Sequence, residues 1–301
     1  MRILITGCNG QLGHELQRLL ASGTAEIGPI PEAYADADIT AVDVADLDIT
    51  DAAAVDALFA REAFDIVFNG AAYTNVDGCE AHEDLAYAVN ATGAENLARA
   101  CAATGAKLVH VSTDYVFSGA EPGERTELDE PDPISAYGRT KLAGERAVRA
   151  ACDRSFVVRT AWLYGYVGKN FVKTMLRLAD SLGALTVVDD QLGNPTSAND
   201  LAYELLKIAL TDDYGIYHCT NNGICSWAAF ARAIVERAGY DPDIVSLCTS
   251  EEYAAAHPDA ARRPAYSALA NAHLAQTIGD EMRPWDVALD SFMANLGKLG
   301  A

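Results

Sequence analysis

Residues 2–13 read Arg-Ile-Leu-Ile-Thr-Gly-Cys-Asn-Gly-Gln-Leu-Gly, and leucines at helical spacing follow them. The apolar residues predict a short buried strand, and the leucines predict a helix. Between the two lie Gly7, Gly10 and Gly13, spaced Gly-x-x-Gly-x-x-Gly rather than Gly-x-Gly-x-x-Gly. A tight glycine turn lets backbone amides at a helix N-terminus approach a pyrophosphate. The stretch therefore predicts a dinucleotide-binding fold, with an ordinary strand-to-helix turn as the alternative.

Strands and helices continue to alternate through the first half of the chain. Strands are predicted at residues 39–43, 65–69, 108–112 and 156–158, and helices at residues 52–60, 80–103 and 135–151. Strands separated by helices of ten or so residues form parallel sheets with right-handed crossovers. The pattern predicts an α/β fold with a doubly wound parallel sheet, Rossmann-like, that carries helices on both faces.

The second half is less regular and is predicted to form a smaller C-terminal substrate lobe. Helices are predicted at residues 171–182, 199–210 and 226–238 and after Pro284, with a short strand at residues 216–219. We expect residues 1–160 to form a NAD(P)-binding domain and residues 161–301 to form the lobe, interleaved with that domain. Ligands of open α/β sheets bind at the carboxyl ends of the strands, so the lobe should fold over that edge.

The composition is that of a globular, acidic protein. Half of the 301 residues are apolar and the formal net charge is −21, which argues against binding to nucleic acid or to an anionic membrane surface. The seven cysteines lack Cys-x-x-Cys spacing and the six histidines lack metal-ligand spacing, so we expect reduced thiols and no metal site. The N-terminus reads as a strand rather than a hydrophobic leader, and a cytoplasmic location is expected.

Tyr137 and Lys141 lie four residues apart in the predicted helix at residues 135–151. Side chains at this spacing share one helix face, with β-carbons about 5–6 Å apart. The ammonium should favour the phenolate and lower the pKa of Tyr137 from about 10, which would make this phenol a usable proton donor at neutral pH. An exposed helix pair is the alternative interpretation. The predicted strand at residues 108–112 ends in the hydroxyl side chains of Ser112 and Thr113.

The charge around the second strand bears on the choice of cofactor. In nucleotide-binding folds a carboxylate after this strand binds the ribose 2′-hydroxyl, whereas a 2′-phosphate needs a cation. Asp43 ends the strand, and no Lys, Arg or His occurs between Arg18 and Arg61. NADH is therefore favoured over NADPH, with a solvated acidic edge as the alternative reading of these carboxylates.

Several motifs along the chain are informative in combination. They are residues 7–13, Asn-Gly-Ala-Ala at 69–72, Val-Ser-Thr-Asp-Tyr-Val-Phe-Ser-Gly at 111–119, Tyr-Gly-Arg-Thr-Lys-Leu-Ala-Gly-Glu at 137–145, Arg-Thr-Ala-Trp-Leu-Tyr at 159–164, Asp-Gln-Leu-Gly-Asn-Pro-Thr at 190–196, and Arg263-Pro264. Together they resemble extended short-chain dehydrogenase/reductases and, more narrowly, the dTDP-4-dehydrorhamnose reductase family. The resemblance runs from Met1 through the C-terminal region.

The resemblance implies reduction of the C4 keto group of dTDP-4-dehydro-L-rhamnose to give dTDP-L-rhamnose. Tyr137 would donate the proton, and Lys141 would also hold the nicotinamide ribose. Thr113 would polarise the carbonyl, a role that Ser112 could share although the family pattern points to Thr113. Asp114 and Trp162 would line the sugar pocket, with loop capping and core packing as the alternatives. The residues predicted to bind the cofactor are Gly7, Gly10, Gln11, Leu12, Gly13, Asp43, Asp48, Ile49, Ala71, Ala72, Tyr73, Tyr137 and Lys141.

Basic residues are scarce in the second half, and the expected substrate carries a diphosphate. Arg262 and Arg263 are the leading candidates to bind it, because guanidinium groups match phosphate oxygens bidentately. A surface pair is the alternative. Some members of the family hold Mg²⁺ at a dimer interface, and Glu15 matches one such position. Residues 197–200 read Ser-Ala-Asn-Asp, without a glutamate, so Mg²⁺ and a homodimer stay open.

Two other functions compete with the reductase. An epimerase or a 4,6-dehydratase on the same fold would also use Tyr137 and Lys141. Dehydratases of this group place an acidic residue directly after the Thr-Asp pair, where this chain has Tyr115, so reduction is favoured. A non-catalytic subunit, like the relative that regulates methionine adenosyltransferase, could lose Tyr137, Lys141 and Thr113, yet all three are present.

Overall fold

The computed structural model describes residues 1–299, and its first half alternates strands with helices. The elements are β1 (Arg2–Thr6), α1 (Gln11–Ser22), β2 (Asp38–Val42), α2 (Ala52–Arg61), β3 (Ile66–Asn69), α3 (Val76–Ala81), α4 (Glu83–Tyr87), α5 (Ala94–Thr104), β4 (Lys107–Thr113), α6 (Ala136–Ala151) and β5 (Ser155–Thr160). A π-helical segment, Ala88–Gly93, joins α4 to α5. The predicted helix at residues 80–103 is thus divided into shorter pieces, and the helical structure starts earlier, at Val76.

The second half contains short strands and longer helices. The elements are β6 (Leu163–Tyr164), α7 (Phe171–Leu182), β7 (Leu185–Val188), β8 (Leu192–Gly193), β9 (Thr196–Ser197), α8 (Ala198–Leu210), β10 (Gly215–His218), β11 (Cys225–Ser226), α9 (Trp227–Arg237), β12 (Val245–Cys248), α10 (Ser250–Ala256), α11 (Ala272–Thr277) and α12 (Trp285–Leu299). Within residues 1–299, no helix combines the length and the apolar character needed to cross a membrane.

A six-stranded parallel sheet forms the centre of the molecule. Its strand order is β2-β1-β3-β4-β5-β10, and each neighbouring pair runs parallel. The order reverses between β1 and β3, which is the switch point where ligands bind in doubly wound folds. The predicted fold class is confirmed. Strand β10 and helix α8, which packs on the sheet, come from the second half of the chain, so residues before and after position 160 contribute to the same unit. The division of the chain into two domains at residue 160 stays a prediction.

Helices cover both faces of the sheet, as the apolar runs in its strands require. On one face, α1 and α8 bury leucines such as Leu16 and Leu205 against Ile5 and Phe68. On the other face, α2 and α5 pack against Leu4 and Val67. The lobe has a core of its own, in which α7, α9 and α12 pack together. The faces of the sheet and the lobe therefore have distinct hydrophobic cores.

Helix α6 packs very closely on the segment that follows β4. The helix begins after Ser135, whose Oγ accepts a hydrogen bond from the Gly138 amide at 3.2 Å. A Cβ atom at Gly138 would lie 2.1 Å from the carbonyl oxygen of Tyr115 and 2.9 Å from Cβ of Pro133. Only glycine fits here, and its use brings the start of α6 against the end of β4.

We expect Gly138→Ala to lower the free energy of unfolding by about 1–3 kcal/mol, because the added methyl group collides with backbone that cannot move freely. Chemical denaturation measures this change. The matched control is Gly297→Ala in α12, where a Cβ meets nothing within 4 Å; it should be neutral or stabilising by up to about 1 kcal/mol. A Gly138→Ala variant as stable as the wild type would contradict the packing described.

Candidate active site

A cleft of about 1200 Å³ opens at the carboxyl ends of the sheet strands and continues between α7 and β7 of the lobe. Its wall includes every residue that the sequence assigned to the cofactor, to proton transfer or to the sugar. Their individual roles remain predictions. A pocket for one small ligand usually measures about 300–1000 Å³, so this cleft has room for a dinucleotide and a second ligand beside it.

The glycine loop forms one end of the cleft. Gly7 has a φ of +66°, and a Cβ atom there would lie 2.7 Å from the Ala71 amide nitrogen. Gly10 precedes the first turn of α1 and provides no side-chain cap for it. The first amides of α1 are thus left for another acceptor. This arrangement fits the pyrophosphate of a dinucleotide.

The wall next to the glycine loop is acidic. Asp43 Oδ2 accepts a hydrogen bond from the Asn9 amide at 3.0 Å, and Oδ1 accepts one from the Val44 amide at 2.8 Å. Hydrogen bonds from Thr50 hold the pKa of Asp48 below its ordinary value. Both carboxylates lie on the wall of the cleft. A ribose hydroxyl suits this position better than a phosphate does.

Strand β4 and helix α6 bring the three predicted catalytic side chains to the same cleft. Lys141 Nζ donates a hydrogen bond to the Val111 carbonyl oxygen at 2.7 Å, so the ammonium is fixed at the end of β4. Thr113 Oγ1 donates to Asp114 Oδ1 at 2.8 Å. The rings of Tyr115 and Tyr137 meet edge to face with centroids 5.7 Å apart.

The expectation that Lys141 lowers the pKa of Tyr137 is wrong for this arrangement. Burial raises the pKa of Tyr137 well above its ordinary value, and the Asp114 carboxyl adds to the rise while the Thr113 hydroxyl opposes it. Burial also lowers the pKa of Lys141 to about 8, against the charge of Glu145. Desolvation dominates because both groups are enclosed. The phenol therefore keeps its proton at neutral pH, as a proton donor must.

Asn90, in the π-helical segment, connects three parts of the site. Its Oδ1 accepts from the Tyr73 amide at 2.8 Å, and its Nδ2 donates to the Tyr73 carbonyl oxygen and to Thr140 Oγ1, both at 3.1 Å. It thereby joins the loop after β3 to helix α6. The sequence analysis missed this residue, because an asparagine within a helical pattern carries no local signal of such contacts.

Trp162 lies on the cleft wall with an unusual backbone conformation. It has a φ of +46°, which is costly for a residue other than glycine. Its indole ring stacks on that of Trp227, with centroids 3.5 Å apart and planes within 5°. Trp227 was not predicted, since only folding brings the start of α9 next to β6. The stack presents a flat apolar surface to the cleft.

The structure separates the two arginines predicted to bind a diphosphate. Arg263 lies on the cleft wall, 3.3 Å from Asp77 Oδ1 and beside the Tyr115 hydroxyl. Arg262 is exposed and does not line the cleft, so a joint clamp is wrong. The sequence analysis missed Lys169, which lies on the wall just before α7. Predicting it would have required knowing that α7 borders the cleft.

A family model for the RmlD substrate binding domain matches residues 1–298. The chain belongs to this family. A dTDP-4-dehydrorhamnose reductase from Mycobacterium tuberculosis H37Rv is 44% identical over 299 residues, which cover 97% of this chain and 92% of the relative.

Two solved structures share the fold over nearly the whole chain. A dTDP-4-dehydrorhamnose reductase from Clostridium acetobutylicum has a TM-score of 0.91 and 46% identity, covering 99% of this chain and 100% of that one. The Bacillus anthracis enzyme of the same name, solved in complex with NADP, has a TM-score of 0.89 and 41% identity, covering 98% of this chain and 99% of that one.

Glu15, the residue that the sequence analysis matched to a magnesium position of related proteins, makes contacts within this chain. Glu15 is fully buried, and its Oε2 accepts from Arg18 Nη2 at 2.7 Å and from Asn199 Nδ2 at 2.9 Å. Its Oε1 faces His14 Nδ1 at 4.0 Å. Among residues 1–299, no three His, Cys, Asp or Glu side chains come together as metal ligands. Mg²⁺ prefers several free oxygen ligands, whereas this carboxylate already pairs with a guanidinium.

We expect Asp114→Asn to stabilise the protein most at alkaline pH. Burial raises the pKa of Asp114 from 3.8 to about 7, against hydrogen bonds from Ser267 and Thr113. The folded state therefore binds a proton that the unfolded state releases, so stability from this group is full below about pH 4 and is lost as the pH rises through 7. At pH 8 the unfolding midpoint of the variant should lie at a higher denaturant concentration than that of the wild type. The two midpoints should converge as the pH falls towards 5.

The control for this experiment is Asp132→Asn, which changes an exposed carboxylate in the loop before α6. Its denaturation midpoint should follow that of the wild type throughout the same pH range. A difference between Asp114→Asn and the wild type that did not change with pH would contradict the assigned cause.

Proposed function

We propose that this protein is a dTDP-4-dehydrorhamnose reductase that converts dTDP-4-dehydro-L-rhamnose to dTDP-L-rhamnose with NADH or NADPH. The observation that carries the proposal is the convergence of Tyr137, Lys141 and Thr113 on one cleft that also holds the glycine loop. The 44% identity to the Mycobacterium tuberculosis reductase supports the choice of substrate. Residues 1–160 would bind the cofactor, and the lobe formed by residues 161–301 would bind the sugar nucleotide.

The side chains have complementary tasks in this reaction. When bound, the dihydronicotinamide supplies the hydride. With substrate bound, the Thr113 hydroxyl would turn its proton from Asp114 to the C4 oxygen and stabilise the negative charge that develops there. Tyr137 transfers its phenolic proton to the same oxygen, which becomes the product hydroxyl. The Lys141 ammonium stabilises the phenolate that remains and holds the nicotinamide ribose.

The substrate contacts follow from the cleft wall. Asp114 and the Trp162 surface would contact the sugar, and Arg263 would contact the diphosphate, with Lys169 as a second cation on the wall. Guanidinium and ammonium groups are both suited to phosphate oxygens. Both cations are needed to attract a diphosphate, because the net charge of the protein as a whole is strongly negative and would repel it.

The geometry favours reduction over dehydration. A dehydratase needs a base to remove a proton next to the carbonyl, and this chain has Tyr115 directly after the Thr-Asp pair. Burial raises the pKa of Tyr115 well above its ordinary value, with the Asp114 charge adding to the effect. A phenol held in this way is a poor base. A regulatory subunit would have no need for the three converging catalytic side chains.

NADH is the preferred cofactor in this proposal, and NADPH is the second. The cleft wall contributed by residues 42–49 carries Asp43 and Asp48 and no cation. A carboxylate repels a 2′-phosphate and accepts a hydrogen bond from a 2′-hydroxyl. The related Bacillus anthracis structure contains NADP, which supports NADPH as the second cofactor.

We assign the enzyme to the cytoplasm. All seven cysteines are free, and six of them are buried, a pattern suited to a reducing compartment. A homodimer remains a prediction, and a dTDP-sugar is the proposed partner.

Tyr137→Phe should abolish most of the reductase activity, because the alkoxide at C4 would lack its proton donor. We expect kcat to fall by about 10²–10⁴-fold, with nucleotide binding retained. The assay follows NADH or NADPH oxidation by absorbance with dTDP-4-dehydro-L-rhamnose. Wild-type protein that binds nucleotide but oxidises neither cofactor would refute the reductase and favour the regulatory subunit.

Asp43→Ser should shift cofactor use towards NADPH, because it removes the charge that repels a 2′-phosphate. We expect the ratio of kcat/KM for NADH to that for NADPH to fall by about tenfold or more, equivalent to about 1.4 kcal/mol. Asp36→Ser, an exposed acidic position before β2, is the matched control. Equal ratios in Asp43→Ser and the wild type would remove Asp43 from the cofactor site.

A further inference from the structure

A buried ion pair lies beneath the catalytic cleft. Glu145 in α6 and Arg159 in β5 are each only 1–2% exposed. Arg159 donates from Nε to Glu145 Oε1 at 2.9 Å and from Nη2 to Glu145 Oε2 at 2.7 Å. Ser112 Oγ donates to Glu145 Oε1 at 2.5 Å. Both carboxylate oxygens are therefore satisfied by groups from two neighbouring strands.

The ion pair fixes α6 relative to the strands that carry the other reacting groups. Ser112 immediately precedes Thr113 in β4, and Ser112 is paired in register with Arg159 of β5. On α6, Glu145 follows Lys141 by one turn and Tyr137 by two turns, so the three share one helix face. A shift of α6 along its axis, or a rotation about it, would move Lys141 away from β4.

Stability alone does not account for this pair. Burying two charges costs several kcal/mol per ion, and a well-packed apolar pair of similar volume is often equally stable or more stable. The remaining Arg159 contacts also lie inside the protein: its guanidinium lies 5.0 Å from the Phe117 ring centroid, and Nη1 is 3.4 Å from His218 Nε2. The Glu145 charge acts on Lys141, and this effect offers a functional reason for the buried Glu145–Arg159 pair.

We propose that Glu145, held by Ser112 and Arg159, is a positioning residue that sets both the place and the charge of Lys141. The proposal rests on the proposed reductase function, in which Lys141 acts as an ammonium. Glu145 is not among the residues that line the cleft, and it acts through Lys141 and through the orientation of α6.

The charge environment of Lys141 supports this role. Two titratable groups interact with the Lys141 charge: Glu145 on its own helix and His110 from β4. Burial and Lys141 hold the pKa of His110 well below its ordinary value, so that ring is neutral. Burial lowers the pKa of Lys141 to about 8, and Glu145 is the group that opposes this change. Without the Glu145 charge, Lys141 would lose its proton at a lower pH.

The first test is Glu145→Gln, which keeps the shape and an acceptor oxygen but removes the charge. NMR titration of lysine-labelled protein, with Lys141 assigned by substitution, should place the Lys141 transition lower by about 1 pH unit or more. The alkaline limb of the kcat/KM profile should move down by a similar amount. Coincident Lys141 titrations in the variant and the wild type would overturn the proposal.

The matched control is Asp200→Asn, which neutralises another buried carboxylate paired with an arginine. Asp200 lies in α8. Its carboxylate accepts hydrogen bonds from Arg283 Nη2 at 2.6 Å and from Arg283 Nε at 2.9 Å. This variant should lose stability without moving the Lys141 titration or the pH profile. An equal shift in both variants would mark a general structural effect and would overturn the proposal.

Ser112→Ala separates position from charge and provides a test should Glu145→Gln fail to fold. Both charges stay in place, so the Lys141 titration should be unchanged, while kcat should fall by about tenfold as α6 loses one contact to β4. An unchanged kcat would overturn the positioning role. Absence of wild-type turnover would refute the reductase itself, whereas the Lys141 titration decides the effect of Glu145 independently of turnover.

Discussion

The contact of helix α6 with the end of strand β4 is the constraint on which the site depends. Gly138 makes the close approach of their backbones possible, and Lys141 ties the helix to the Val111 carbonyl oxygen. Glu145 adds a third connection through Ser112. Because these contacts occur on successive turns of one helix face, Tyr137 and Thr113 are brought to the same cleft by backbone geometry.

Enclosure of the site determines its electrostatics more than any single pair of charges does. Burial raises the pKa of Tyr137 and of Asp114 and lowers that of Lys141. Each of these groups is thus biased towards its neutral form, as desolvation requires. Against that bias, Glu145 favours the Lys141 ammonium. Proton donation from Tyr137 fits this environment, since the phenol keeps its proton until negative charge develops on the substrate.

The distribution of charge around the cleft differs from that of the chain as a whole. The net charge is −21, yet Lys169 and Arg263 lie on the part of the wall formed by the lobe, while Asp43 and Asp48 lie near the glycine loop. Carboxylates suit the hydroxyl groups of a ribose, and cations suit a diphosphate. Cations and carboxylates thus line one cleft, and Lys169 follows a segment that contacts Gln11 at the start of α1.

The sequence by itself determined the parallel sheet, the glycine loop and the Tyr137–Lys141 pair, because these depend on short periodicities and on residues close together in the chain. Tertiary structure alone decided that β10 joins the sheet, that Trp227 stacks on Trp162 and that Lys169, but not Arg262, lines the cleft. It also reversed the expected pKa shift of Tyr137. Each of these depends on burial or on contacts between distant segments, which local sequence patterns do not encode.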